Sequence, residues 1–237
     1  MMIQKKNKSK NIYNDYEINS LKYNEALKYD KRTYTQYYLS LLRTKHLLIF
    51  TFYTYDDYNS KIIKIILFLF SFALYYTVNA LFFTDSTMHK IYTDKGTYNL
   101  IYQIPQIFYS SIISSIINII VKTLSFSEKS IILLKKEKNK KEKASEIIKC
   151  LIIKYIFFFI LTFLFLIIFW YYLACFCAIY KNTQIHLIKD TMISFTFSLL
   201  YPLGINLIPG IFRIPSLNSS KKDKECIYKI SKIIQII

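Results

Sequence analysis

Apolar residues in this chain gather into runs long enough to cross a membrane, and the charge lies between the runs. Four runs, at 62–83, 100–121, 155–180 and 192–212, can each span a hydrocarbon core about 30 Å thick as a helix. The third is almost wholly apolar and holds the only tryptophan, Trp170. The second is the least hydrophobic, and its polar residues are not scattered. At about 100° per residue, Gln103, Gln106, Ser110, Ser114 and Asn118 fall in one arc, opposite an Ile-rich side. Such a stripe either packs helices together or lines a pore. Ser110 with Ser114, and Ser111 with Ser115, have the small-residue spacing that lets helices approach closely. The fourth run contains Pro202, Gly204, Pro209 and Gly210, which predict a kinked or broken helix whose freed carbonyls need partners.

The flanks carry a different pattern. Residues 1–30 are polar and Lys-rich with little periodicity, and read as a mobile basic leader. In 31–52, Tyr34, Tyr37, Tyr38, Leu41, Leu42, Leu48, Ile49 and Phe52 recur at helical spacing. Arg32, Gln36, Ser40, Arg43 and Thr44 lie opposite them. This pattern predicts an amphipathic helix on the membrane interface, followed by a linker to residue 60 in which Asp57 or Ser60 caps the first span. The four-span domain occupies 61–217. In the tail, 218–237, Ile227, Ile230, Ile234 and Ile237 form one face of a basic amphipathic helix. The expected fold is therefore all-α: a polytopic membrane protein with four transmembrane helices and amphipathic juxtamembrane helices.

Charge adds an orientation. The formal net charge is +17. The segment ending at Lys64, the connection between spans two and three, and the segment after span four hold 12, 10 and 6 Lys and Arg, against 2 in each remaining loop. Cytoplasmic loops carry the excess of Lys and Arg, so both termini are expected in the cytoplasm. Because the lysines flank apolar runs, the expected partners are the lipid bilayer and anionic head groups or an acidic protein, with self-association possible, rather than nucleic acid. Lys64, Lys154 and Arg213 lie at span ends, where they are expected to snorkel. No ionisable residue falls near the middle of a span, which weighs against proton-coupled transport.

Reactive chemistry is sparse. Cys150, Cys175, Cys177 and Cys226 form no paired metal pattern and read mostly as small buried hydrophobes, with Cys150 and Cys226 at membrane edges where acylation is possible. The three His are far apart in sequence, no phosphate-cradling Gly loop is present, and no nucleophile motif occurs. No enzyme activity, cofactor or metal is expected.

The stretches KRTYTQYYLSLLRTKHLLIFTF (31–52), NALFFTDSTMHKIY (79–92), YQIPQIFYSSIISSIIN (102–118), FWYYLACFCAIYKNTQ (169–184) and YPLGINLIPGIFRIP (201–215) carry a resemblance. They resemble the C-terminal region of an uncharacterised family of multi-pass protist membrane proteins, common in ciliates. The resemblance covers residues from about 30 to the end. It implies a multi-pass fold and relatives with longer N-terminal regions, and it transfers no catalytic residue. Together these readings point to a non-enzymatic membrane anchor or assembly component, or alternatively to an oligomeric passive channel or transport subunit.

Overall fold

The computed structural model describes residues 13–54, 57–136, 141–218 and 224–236. Among them there is no strand. The helices are α1 (Asp15–Ser20), α2 (Tyr23–Tyr29), α3 (Tyr34–Lys45), α4 (Lys61–Leu81), α5 (Asp85–Thr93), α6 (Leu100–Ser125), α7 (Glu128–Lys136), α8 (Lys141–Ile179), α9 (Gln184–Ile205), α10 (Ile208–Leu217) and α11 (Lys224–Ile236). Four helical stretches are long and apolar enough to cross a membrane, so the chain is a polytopic α-helical membrane protein.

Helix α4 is the centre of the bundle and packs against α6, α8 and α9. Ile63, Leu67, Phe70, Leu74 and Val78 form its buried face, meeting Val121 of α6 and Phe158 and Phe169 of α8. Helix α8 is the most peripheral. Ile153, Phe157, Ile160, Phe163, Leu164, Ile167, Ile168, Trp170 and Tyr171 all face outward. A soluble protein does not leave so large an apolar surface uncovered, whereas lipid covers it at no cost. Cys175 is also turned outward rather than buried.

The two ends of the bundle differ. At one end the N-terminal helices, the connections around residues 57–60 and 126–136, and the α10–α11 hairpin meet: Lys135 pairs with Glu17 at 2.8 Å, Ser127 Oγ donates to Tyr58 O, and Tyr228 Oη donates to Leu21 O. This is the basic end. At the opposite end Tyr98, His186 and α5 come together, and Phe83 packs on Phe176.

Several expectations need correction. Residues 13–30 are not a mobile leader: Asn14 caps α1 through a capping box with Glu17, and Ile18, Leu21, Tyr23 and Ala26 pack with Tyr228. Residues 1–12 of that leader lie outside the described residues. The helix expected over 31–52 ends at Lys45, followed by a wide turn at Ile49–Tyr53. Its inner side, including the polar Ser40 and Thr44, is buried by α1, α9, α10 and α11 instead of lying on lipid. Asp57 does not cap α4. It pairs with Lys64 at 2.7 Å, and Lys64 does not snorkel but is buried beneath the Phe50 ring. In α11 the outward residues are Ile227, Ile230 and Ile233, while Tyr228 and Ser231 face the protein.

Arg213 departs furthest from expectation. Instead of reaching the interface it is fully buried, its Nε and Nη2 donating to Asp30 Oδ2 at 3.0 and 2.8 Å and Nη2 also to Ile18 O. The guanidinium lies between the rings of Tyr37 and Tyr228. Arg32 grips the same carboxylate from the other side. Burial pushes the Asp30 carboxyl up, but the Arg32 hydrogen bonds and the Arg213 and Arg32 charges outweigh it and hold the group below the ordinary range. This ion cluster ties the α2 terminus to α10.

Candidate functional site: a polar seam inside the bundle

The stripe on α6 faces inward. Gln103, Gln106, Ser110, Ser114 and Asn118 are all buried, while Ile112, Ile113, Ile116, Ile119 and Ile120 point outward. What the stripe meets is a second polar row, on α4. Ser110 Oγ donates to Asn79 Oδ1 at 2.8 Å, Tyr75 Oη and Ser115 Oγ lie 2.9 Å apart, and Asn118 Nδ2 donates to Ser71 Oγ at 2.8 Å. Positions fall along α4 as they rise along α6, which antiparallel neighbours require. Asn79 Nδ2 also donates to Ser194 Oγ of α9 at 2.7 Å, so one amide ties three helices. Between helices in lipid there is no hydrophobic drive, and such hydrogen bonds and close packing hold the bundle.

The α4 row was legible as Ser71, Tyr75 and Asn79 spaced four apart, one face of a helix. The seam also contains a residue that hydropathy assigned to a loop. Helix α9 begins at Gln184, not near 192, because residues 184–191 continue its helix, and this places Asp190 inside the bundle with no exposure. Asp190 Oδ1 accepts from Tyr98 Oη at 2.6 Å and Oδ2 from Gln106 Nε2 at 3.2 Å. A buried carboxylate therefore does lie within a membrane helix, near the end opposite the basic one. The signal was its spacing from His186, four residues earlier, also buried and near Thr97 O.

The seam is not fully paired. Gln103 Oε1, Gln106 Oε1, Thr191 Oγ1 and Ser114 Oγ are buried without a hydrogen-bond partner among the described residues. Ser114 is thus a packing position rather than a hydrogen-bonding one. Ser114→Leu is expected to cost about 1–3 kcal/mol by overpacking. Ser114→Ala should be near neutral, and Ile112→Leu, on the outer face, should stay within about 0.5 kcal/mol. Detergent-unfolding midpoints check the order; equal midpoints for Ser114→Leu and Ile112→Leu would contradict a packed seam.

The kink residues fall where helices α9 and α10 part. Pro202 lies in the last turn of α9, Gly204 is open on its outer side, and Pro209 stands in the first turn of α10, where a missing N–H costs nothing. At the break, Leu207 N–H turns to Gly204 O and leaves Leu203 O free of the bond a continued helix would give it. Helix α3 supplies replacement donors: Tyr38 Oη to Leu203 O at 3.1 Å and Tyr34 Oη to Leu207 O at 2.8 Å, with His46 Nε2 2.8 Å from Leu199 O. Gly210 lets the Tyr34 ring approach, since a Cβ there would stand 2.7 Å from Tyr34 Cε2. The tyrosine hydroxyls of the amphipathic helix's apolar stripe thus splint the broken one.

The fold and seam define a class, a compact α-helical bundle spanning a membrane and held by an internal polar seam. No family model, curated protein or solved structure matches the chain. Among the described residues no group of His, Cys, Asp or Glu is arranged to hold a metal ion.

Proposed function

We propose that this protein is a non-enzymatic membrane anchor or assembly component whose basic end faces the cytoplasm and holds anionic lipid or an acidic protein. The observation that carries this reading is the shared end. Three Lys- and Arg-rich parts of the chain, distant in sequence, are bound to one another there, and Lys22, Lys28, Lys31, Lys129, Lys135, Lys149 and Lys229 project from it. Each basic residue near an anionic leaflet contributes about 1 kcal/mol, within a Debye length of roughly 8 Å. The outward Ile227, Ile230 and Ile233 of α11 give the same end an apolar edge to rest on lipid.

Orientation is tested by Thr93→Cys in a cysteine-free background. Position 93 is exposed at the end opposite the basic one, and should resist an impermeant maleimide added from the cytoplasmic side of sealed vesicles. Labelling there would sink the reading. Function is tested by affinity purification in mild detergent, which should return acidic cytosolic proteins in a salt-sensitive manner. A second reading, a passive channel or transport subunit, is favoured by Asp190, because an ionisable group inside a span often marks an ion path. Against a pore between copies, the α6 stripe turns into its own bundle and would not line it. Conductance of reconstituted protein that falls in Asp190→Asn would establish the second reading over the first.

A further inference from the structure

At the basic end of the seam, a cleft of about 250 Å³ opens between α3, α4, α6 and α9. Its polar wall is built from Lys45, Ser71, Tyr75, Ser115, Asn118 and Lys122. Two cations thus share one cleft, and no carboxylate is among its lining residues. Among the described residues, Lys45 Nζ has only a neutral partner, the Gln235 carbonyl oxygen. No hydrogen bond or ion pair holds the Lys122 ammonium among the described residues. The fully buried cations described above each have an anion, Asp57 for Lys64 and Asp30 for Arg213, whereas the half-buried Lys45 and Lys122 have none among the described residues. Paired charges are the rule where water is scarce, because an isolated ion is expensive to bury. Burial pulls the Lys45 ammonium down to about 8, and the Lys122 charge adds to the effect. Among the described residues, nothing in the cleft balances this positive charge.

We infer that this cleft binds the head group of one anionic lipid, with Lys45 and Lys122 holding its phosphate or carboxylate. Lys122 lies in the last turn of α6, just beyond the apolar run that crosses the membrane, where head groups sit, and Ser115, Ser71 and Tyr75 carry the cleft deeper between the spans. Its other wall is apolar: Leu47, Ile119, Phe126, Pro202 and Ile205. Ile119 is outward-facing, so the apolar wall is continuous with the lipid-facing surface of α6 and gives an acyl chain a path out. A free anion uses only the polar wall; a lipid uses both. The volume suits a head-group phosphate with a few waters and excludes a whole lipid, whose chains must lie outside. This deepens the proposed function, resting on the basic end facing an anionic leaflet, and it differs from general adsorption in predicting one lipid at one place.

The test is native mass spectrometry of the full chain in mild detergent with added phosphatidylserine or phosphatidylcholine. Wild type should retain one phosphatidylserine and release phosphatidylcholine. Lys122→Gln and Lys45→Gln should each lower phosphatidylserine retention about fivefold, and Lys122→Arg should keep it. Lys135→Gln with Lys149→Gln, on the outer surface, should weaken adsorption to phosphatidylserine vesicles but leave the single retained lipid. Should a lysine variant fail to fold, the wild-type preference between the two lipids still decides. Equal retention of both lipids, no loss in the Lys45/Lys122 double variant, or release of the lipid by inorganic phosphate at equal concentration would each overturn the inference. Failure of the wild type to adsorb to phosphatidylserine vesicles while it retains the single lipid would count against the broader anchor reading and leave the cleft site standing.

Discussion

Asp30→Asn is expected to destabilise the basic end by about 3–5 kcal/mol, the usual cost of leaving one partner of a buried ion pair without its counter-charge. The substitution keeps the shape of the side chain and removes the charge that Arg213 and Arg32 share. Arg213 is fully buried and reaches no other carboxylate among the described residues, so it cannot recover by rotating to water. Arg213→Met should cost less, because Asp30 keeps Arg32 at 2.8 Å. The double variant Asp30→Asn/Arg213→Met should be more stable than Asp30→Asn alone, since the fully buried Arg213 charge is gone and the remaining Arg32 is partly exposed to water. Detergent-unfolding midpoints of the set measure this, and additive effects would refute the coupling. Acid gives the same result without mutation. Because the Asp30 carboxyl is held below its unfolded value, its contribution is complete above about pH 4 and is lost as pH falls through the folded value. Asp30→Asn should flatten that acid limb.

The second large effect is expected at Asp190. Asp190→Leu leaves the Tyr98 hydroxyl and the Gln106 amide without their acceptor inside the bundle. Each buried donor left unmade costs about 1–3 kcal/mol, although average hydrogen bonds between membrane helices are worth nearer 0.6 kcal/mol. A loss of about 2–4 kcal/mol follows, with the Tyr98 connection and the start of α6 loosening first. Asp190→Asn retains an acceptor for Tyr98 and should lose about 1 kcal/mol or less. Thermal unfolding and amide exchange over residues 97–106 distinguish the two variants. If Asp190→Asn is as damaging as Asp190→Leu, charge rather than hydrogen bonding is what the site needs.

The seam and the splint explain why the protein tolerates so irregular a fourth helix. A break in lipid exposes carbonyls that nothing in the hydrocarbon can satisfy. Here the breaks at Leu203 and Leu207 are answered by Tyr38 and Tyr34, and the α3–α10 contact is in turn clamped by Arg213 and Asp30. Amphipathicity in α3 therefore serves two demands at once, apolar burial and hydroxyl donation.

The sequence by itself determined the spans, the polar stripe on the second of them and the break near Pro202–Gly210, while the direction the stripe faces came from the tertiary structure. These are local properties: an apolar run of sufficient length, a repeat matching the helical turn, and proline's missing N–H each act through nearest neighbours along the chain. The start of α9 lay about two turns earlier than the apolar run indicated, and those residues held Asp190. A hydropathy window scores a carboxylate as exposed to water. Whether it instead meets Tyr98 and Gln106, distant in the chain, is a matter of how helices are placed. The same reason hid the roles of Lys64 and Arg213. Each read as a terminal cation free to reach the interface, and each is held inside by an aspartate: Asp57 in the turn leading into the same helix for Lys64, and the distant Asp30 for Arg213. It also hid the fold of residues 13–30, whose short helices are too brief to be stable alone and exist because Tyr228 and α3 receive their apolar side. Pattern along the chain fixes which residues must leave water; only the tertiary structure decides which polar groups leave with them, because their partners are chosen in space.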